Sequence, residues 1–228
     1  MNDKKPVLLL DLYLIRHGQS EGNVRSSSEG LSLSDREDPP LTSTGRRQAH
    51  LAGEFLSDIV FDSIFASPLL RASHTATEII KEQVAPKTLE ILPYIIEAGV
   101  SKEYNDGLDR VLAINPDITL AKGLPEGTPL IFPSSADDPD GLFARARVAV
   151  DYLLNRFSKG EKVALVSHAA FLTYIVFDLM GFEGKLPLFD INFKNTGITR
   201  ALIYEKGTNP YGDIVFDYIN NTEHLFGE

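Results

Sequence analysis

An apolar run that stops at a cation and an imidazole constrains this chain more than any other feature. Residues 7–15 read as a buried strand of ordinary length, and Arg16-His17-Gly18 follow directly. In open α/β sheets, ligands bind outside the carboxyl ends of the strands. Gly18 lets the backbone approach a ligand closely, a neutral imidazole can act as a nucleophile, and an arginine fork fits a phosphoryl group. The stretch therefore indicates an anion site at a sheet edge, although three residues alone fit a chance polar pair equally well.

Composition excludes several classes of function. The 228 residues, 43% of them hydrophobic, suffice for one large domain with a substantial core. The absence of cysteine excludes disulfides, thiolate catalysis and zinc–thiolate sites, and five scattered histidines suggest no metal site. A formal net charge of −10 argues against nucleic acid and anionic membranes as partners. The first apolar run is too short to span a bilayer and lacks a cleavage-site pattern, so we expect a cytoplasmic protein.

A second strand also leads to a candidate anion-binding group. Residues 61–66 are β-prone and end at Ser67-Pro68, and a helix is predicted over 69–81. Ser67 is predicted to cap this helix, with Pro68 at the first helical position. Arg71 falls in the first turn, where it opposes the helix dipole. A helix N-terminus with an arginine at the mouth of a sheet favours anion binding over a merely solvated arginine.

The histidines differ in what precedes them. Residues 162–167 form a further buried strand that delivers His168 to an apolar helix over 169–180. Since His17 also follows a strand that leads into a helix, we expect both imidazoles at one edge of the sheet. His74, one turn after Arg71, fits the rim of a pocket and a structural role equally well.

Two irregular segments interrupt the alternation of strands and helices. Residues 24–40 are predicted to be a mobile flap, and residues 99–135 a cap-like insertion with one short helix near 109–114. The other predicted elements are a helix from about residue 42 that is capped by a threonine hydroxyl, β-prone segments at 88–92 and 94–96, a helix starting within 137–141, strands at 197–205 and 214–220, and a loose acidic tail to Glu228.

Four separated motifs together resemble one family. They are Arg16-His17-Gly18 with Asn23, Leu41-Thr42-x-x-Gly45 with Gln48-Ala49, Ser67-Pro68-x-x-Arg71-Ala72 with Thr75-Ala76, and Ser167-His168. The ordered set resembles the histidine phosphatase superfamily, in the branch that contains cofactor-dependent phosphoglycerate mutases and the bisphosphatase domain of fructose-bisphosphatase enzymes. The resemblance covers the whole chain except the variable insertions. It implies one domain over 1–228 with a phosphoglycerate mutase-like fold, a three-layer α/β/α sandwich around a mostly parallel sheet.

The resemblance also implies a phosphohistidine mechanism that needs no metal or other cofactor. His17 would attack phosphorus and form a covalent intermediate. Arg16, Arg71 and His168 would surround the non-bridging oxygens, and Asn23 would donate a further hydrogen bond. In phosphoryl transfer, such positioning and charge compensation account for most of the catalysis.

The general acid is predicted less directly. Glu97 matches the family's glutamate by position, after the β-prone stretch that follows the Arg71 helix. Its local context, Ala98-Gly99-Val100-Ser101, departs from the usual glycine- and tryptophan-containing one. Glu103 is the alternative acid, and an ordinary surface glutamate remains the third interpretation.

Three functions stay open at this point. A phosphomonoester hydrolase acting on a small phosphorylated metabolite fits best, as a monomer or homodimer. A mutase needs basic residues for a second anionic group, but residues 98–135 carry more acidic than basic side chains: Lys102, Arg110 and Lys122 against Glu103, Asp106, Asp109, Asp117 and Glu126. A mutase nevertheless stays open, because arginines elsewhere could contribute: Arg25, Arg36, Arg46 and Arg47. A catalytically weak module that binds a phosphorylated ligand would need a missing catalytic group, and the motifs lack none.

Overall fold

A seven-stranded sheet forms the centre of the computed structural model, which describes residues 5–85, 88–105, 107–113, 117–132, 138–182, 184 and 186–226. The strands are β1 (Leu8–Arg16), β2 (Ser63–Ala66), β3 (Leu89–Ile91), β4 (Thr119–Leu120), β5 (Glu161–Ser167), β6 (Ile198–Tyr204) and β7 (Ile214–Asn221). Their order is β4-β3-β2-β5-β1-β6-β7. The pairings from β4 to β1 are parallel, and those of β6 with β1 and β7 are antiparallel.

Helices cover both faces of this sheet. They are α1 (Glu21–Val24), α2 (Leu33–Glu37), α3 (Ser43–Phe55), α4 (Leu70–Lys81), α5 (Gly107–Leu112), α6 (Pro139–Arg156) and α7 (Ala169–Leu179). Two short 3₁₀ helices span Pro93–Ile95 and Glu223–Leu225. Among the described residues, no helix has the length and apolarity needed to cross a bilayer.

Strand β1 is buried on both faces because alternate side chains enter different halves of the core. Leu12 and Leu14 pack with residues of α6 and α7, whereas Tyr13 and Ile15 pack with residues of α4 and its neighbours. This arrangement confirms the predicted α/β/α sandwich with a mostly parallel sheet. Asp11, the one charge in the strand's interior, is buried and accepts two bonds of 2.9 Å from Arg200 on β6.

The parallel register brings three strand ends together. Arg16 of β1 lies opposite Ser167 of β5, and Ala66 of β2 lies opposite Val166 of β5. Residues that follow these strands therefore leave the sheet at the same edge. His17 and His168 are the first residues after β1 and β5.

Several helix predictions are confirmed, and the structure corrects one cap. Thr42 caps α3 by accepting a bond of 2.9 Å from the Gly45 amide. Ser67 is not the N-cap of the next helix, because α4 begins at Leu70 and Leu69 occupies the cap position. The Leu70 amide instead donates to the carboxylate of Asp38, at 2.8 Å. A side chain distant in sequence replaces the local cap, so local spacing could not reveal it.

The irregular segments contain more structure than predicted. Within the flap, α2 forms where Ser32 accepts a bond of 3.1 Å from the Asp35 amide. The insertion contains α5, as predicted, and also β4, which extends the sheet beside β3. Segment 94–96 is not a strand, since Pro93 starts a 3₁₀ helix there.

The chain's end is also corrected in part. The sequence predicts a loose tail, but part of it is held in place. His224 Nε2 lies 2.9 Å from the Thr196 hydroxyl oxygen, and the His224 ring packs against Phe55. Four of the predicted features lie outside the described residues. They are Glu228, the predicted end of the insertion helix at Ile114, insertion residues 133–135 and the helix start at Asp137. The helix itself is capped by Asp138, which accepts a bond of 2.7 Å from the Gly141 amide.

Candidate active site

The backbone that follows β1 fixes the tautomer of His17. Its Nδ1 lies 2.7 Å from the Gly18 carbonyl oxygen, which can only accept a hydrogen bond. Nδ1 must therefore carry the proton, and Nε2 of the neutral ring keeps its lone pair. Burial, followed by the charges of Arg71 and Arg16, lowers the pKa of His17 well below its ordinary value. The ring is 3% exposed and has the protonation state of a nucleophile at neutral pH.

His168 faces His17 across the edge of the sheet. The two ring centroids lie 5.0 Å apart, with an angle of 58° between the ring planes. His168 Nε2 lies 2.7 Å from the Ser67 hydroxyl oxygen, while Nδ1 has no partner among the described residues. Burial and then the charge of Arg71 lower the pKa of His168 well below its ordinary value. A buried ring nitrogen without a partner, beside a second imidazole, is suited to an incoming anion oxygen.

Arg16 and Arg71 supply the positive charge around the two rings. Both guanidiniums lower the pKa of His17 and of His168, which places all four groups within electrostatic reach of one another. Arg16 Nη1 donates to the Phe193 carbonyl at 2.6 Å, and Arg71 Nη1 donates to the Glu37 carbonyl at 3.2 Å. Each arginine thus donates to a backbone carbonyl and keeps other donors for a ligand.

Asp38 holds Arg71 from the end of the flap. Its carboxylate is fully buried, lies 3.7 Å from Arg71 Nη1 and accepts a bond of 2.7 Å from the Tyr104 hydroxyl. Arg110 Nη1 donates to the Asp38 carbonyl at 3.1 Å. Burial raises the pKa of Asp38, and the hydrogen bond from Tyr104 and the charge of Arg71 oppose that rise. The flap, α4 and the insertion therefore meet at this carboxylate.

Glu97 lies at the N-terminus of α7. Its Oε1 accepts bonds from the Ala98 amide at 3.0 Å and from the Phe171 amide at 3.1 Å. Burial raises the pKa of Glu97, and these backbone bonds together with the charge of Arg71 limit the rise. Burial lowers the pKa of Arg16 and of Arg71, and the charge of Glu97 opposes this shift at both arginines, which places the carboxyl within their electrostatic reach.

Three bonds fix the segment that carries Glu97. Arg145 of α6 is buried, and its Nη1 donates to the carbonyls of Tyr94 at 3.1 Å and Ile96 at 2.5 Å. The Ser167 hydroxyl donates to the intervening Ile95 carbonyl at 2.7 Å. Arg145 is not among the predicted site residues, because the apolar stripe dominates the sequence pattern of its helix. A lone cation inside an otherwise apolar stripe is the signal that could have revealed it.

Asn23 is placed by a residue that the motifs did not include. Its Oδ1 accepts a bond of 3.0 Å from the Ser20 amide and one of 3.2 Å from Asn195 Nδ2. Asn195 Nδ2 also donates to the His17 carbonyl at 3.1 Å. Because Oδ1 of Asn23 is used in this way, its amide nitrogen is the group that can donate to a ligand.

Two glycines allow the motifs to pack against each other. A Cβ on Gly18 would overlap the Gly45 carbonyl, and a Cβ on Gly45 would overlap the backbone of Gln19. The Gly18 amide also donates to the Thr75 hydroxyl at 3.0 Å. The β1 end, α3 and α4 are therefore joined at the site with no room for larger residues.

The remaining candidates lie apart from this constellation. Glu103 is exposed, and its amide donates to the Ser101 hydroxyl within the insertion at 3.3 Å. Burial lowers the pKa of His74 to about 4. The charges with the largest effect on this pKa are those of Arg46 and Glu78 rather than those of the site arginines. The structure thus brings together His17, His168, Arg16, Arg71 and Glu97, whose catalytic roles remain predictions. In the part of the chain that is described, no cluster of three metal-ligating side chains occurs.

An α/β sandwich with two facing imidazoles and two arginines at one sheet edge is an arrangement suited to a compact anion. A family model for the histidine phosphatase superfamily, branch 1, matches residues 12–210. The chain belongs to this family, as the motifs predicted.

Relatives and solved structures agree with this membership. The 2,3-bisphosphoglycerate-dependent phosphoglycerate mutase of Rhizobium johnstonii is 33% identical over 189 residues, which cover 78% of this chain and 83% of that protein. Fructose-2,6-bisphosphatase TIGAR of Xenopus laevis is 32% identical over 104 residues, or 45% of this chain and 35% of that protein. A phosphoserine phosphatase from Entamoeba histolytica in complex with 3-phosphoglyceric acid has the same fold, with a TM-score of 0.61, 22% identity and coverage of 95% of this chain and 100% of that one.

Proposed function

We propose that this protein is a phosphomonoester hydrolase that acts on a small phosphorylated metabolite through a phosphohistidine intermediate. The observation that carries the proposal is the bond from His17 Nδ1 to the Gly18 carbonyl, because it leaves an unprotonated Nε2 among the arginines. Membership of a family with phosphatase and mutase relatives supports the same chemistry.

The residues supply a balanced two-step reaction. His17 Nε2 forms a bond to phosphorus as the ester P–O bond breaks, and the Glu97 carboxyl gives its proton to the leaving oxygen. In the second step Glu97 takes a proton from water, whose oxygen attacks phosphorus and releases His17 and inorganic phosphate. Arg16, Arg71 and His168 Nδ1 compensate the charge on the non-bridging oxygens in both steps.

Mutase activity is the alternative, and the Rhizobium relative is the observation that favours it. A mutase returns the phosphoryl group to a second phosphorylated position and needs cations beyond those around the histidines. Arg110, a basic residue of the insertion, donates to the carbonyls of Ser34 and Asp38. This use of Arg110 supports water as the final acceptor. We further propose a cytoplasmic protein that works without a metal ion.

The test is covalent labelling with glycerol phosphate and naphthyl phosphate that carry a radioactive phosphorus. After rapid quenching, we expect an acid-labile, alkali-stable label on the wild type that is absent from His17→Ala. His50→Ala is the matched control, because His50 is exposed on α3 and pairs with Glu82. EDTA should leave the label and the release of phosphate unchanged.

Three outcomes would contradict parts of this proposal. A label that persists in His17→Ala, or no label from either ester, removes the phosphohistidine mechanism. Interconversion of phosphoglycerates without net release of phosphate would identify a mutase. Loss of activity in EDTA that added divalent metal restores would exclude a metal-independent reaction.

A further inference from the structure

A large groove lies between α7 and the segment that follows it. Its volume is about 1030 Å³. Helix α7 contributes one wall, and residues 186–193 contribute the other. The side chains that line the groove include Arg16, Tyr174, Phe177, Leu188, Phe189 and Asp190.

The walls of the groove are mainly apolar and aromatic. The rings of Phe177 and Phe189 pack edge to face with centroids 5.6 Å apart. Leu188 is fully exposed and Phe189 is 53% exposed, so large apolar surfaces face solvent without cover from the described chain. Among the described lining residues, Arg16 is the only cation and Asp190 the only anion.

The groove is continuous with the candidate active site at two points. Arg16 lines the groove, belongs to the histidine–arginine cluster and is bonded to the Phe193 carbonyl at the groove's inner end. Ala169 and Ala170 also line it, directly before the Phe171 amide that holds Glu97. The carboxyl proposed to protonate the leaving oxygen is therefore hydrogen-bonded to the first turn of α7, whose first two residues line the groove.

We propose that this groove binds the alcohol part of the substrate, and that this part is a large, uncharged and mostly apolar group. The inference rests on the proposed phosphatase function and narrows its substrate class. A volume of about 1030 Å³ matches the upper end of small-molecule sites, far more than a three-carbon metabolite fills. A second phosphate or carboxylate would meet Asp190, and Arg16, the one cation among the described lining residues, is already assigned to the phosphoryl group that is transferred, which disfavours doubly anionic substrates.

The test compares two esters that differ in their alcohol part. We expect the wild type to hydrolyse naphthylethyl phosphate, an alkyl ester like glycerol phosphate, with a kcat/KM at least tenfold above that for glycerol phosphate. Leu188→Asp and Phe189→Asp should lower kcat/KM for naphthylethyl phosphate about tenfold more than kcat/KM for glycerol phosphate, mainly through KM. Val84→Asp is the matched control, since Val84 is an 86% exposed aliphatic residue outside the groove, and it should change neither value.

A binding measurement separates this inference from the proposed function. Calorimetric titration of His17→Ala with naphthyl phosphonate, which cannot be hydrolysed, reports on the groove even if no ester is turned over. Weaker binding after the added Leu188→Asp change supports the groove whatever the outcome of the labelling test. Equal binding, or an equal loss of activity toward both esters in the two groove variants, would overturn the inference while His17-dependent hydrolysis of glycerol phosphate still supported the phosphatase.

Discussion

At the scale of single residues, burial raises the pKa of the Glu97 carboxyl and lowers the pKa of the two imidazoles. The pKa of Glu97 is raised, which favours its protonated form, whereas the pKa of His17 is lowered, which favours its neutral form. These protonation states suit the proposed roles of Glu97 as an acid and His17 as a nucleophile in the same pH range. Arg71 contributes to both shifts, since it lowers the pKa of His17 and limits the rise at Glu97.

Glu97→Gln tests the acid directly. We expect kcat/KM for glycerol phosphate to fall about 10²–10⁴-fold, the usual contribution of general acid catalysis. Activity of the wild type should decline as pH rises through the pKa of Glu97, because the required proton is lost, and the variant should lack this decline. The acid limb should lie below pH 6.5, the ordinary histidine value, because His17 stays neutral to lower pH.

The matched control for this substitution is Glu103→Gln, which alters an exposed glutamate of the insertion. It should keep both the rate and the pH profile. If Glu103→Gln abolished the alkaline decline and Glu97→Gln did not, the assignment of the acid would be reversed.

At the scale of elements, the site depends on how the flap and the insertion are joined to α4. Asp38 lies near the end of the flap. Its carboxylate accepts one hydrogen bond from the Leu70 amide of α4 and another from the Tyr104 hydroxyl of the insertion. Because the carboxylate is fully buried, each lost partner leaves charge with less compensation. Arg71 takes its position from the same junction.

Tyr104→Phe removes one hydrogen bond from this junction without changing its volume. We expect it to lower the free energy of unfolding by about 1–3 kcal/mol, because a buried acceptor loses its donor. It should also raise KM for both esters, because Arg71 is then less firmly held. Urea unfolding and steady-state kinetics measure these effects, with Tyr211→Phe as the control at an 88% exposed tyrosine. Unchanged stability together with unchanged KM would show that the junction does not position Arg71.

The sequence allowed the strand ends to be predicted but not the junctions between loops. His17, Arg71 and His168 follow apolar runs that mark their strands or helix, and parallel pairing then brings them together. Asp38 gave no such signal, because its role depends on which loop packs against α4. The same holds for Arg145, whose bonds to the backbone before Glu97 join two segments that are 49 or more residues apart. Side chains that connect distant loops follow from tertiary packing rather than from local periodicity.

At the scale of the whole molecule, buried histidines link folding to pH. The pKa values of His17, His168, His74 and His224 are all lowered in the folded protein. Below pH 6.5, the ordinary pKa of histidine, the unfolded chain binds more protons at these positions than the folded chain does. The stability that the four histidines contribute by staying neutral is therefore complete above pH 6.5 and is lost as pH falls. The raised pKa values of Glu97 and Asp38 have the opposite effect on stability, because these two carboxyls favour the folded state as pH falls.

His74 and His224 can test this link without a change to His17 or His168, since burial lowers the pKa of each to about 4. At pH 5.5, each should reduce the free energy of unfolding by at most about 1 kcal/mol relative to pH 7.5, after allowance for solvent screening. Urea unfolding at both pH values should therefore show a smaller difference for His74→Gln and His224→Gln than for the wild type. The exposed His50→Gln should retain the full difference. Because any contribution from Glu97 and Asp38 is common to all four proteins, an equal pH difference throughout would mean that neither histidine is neutral by burial.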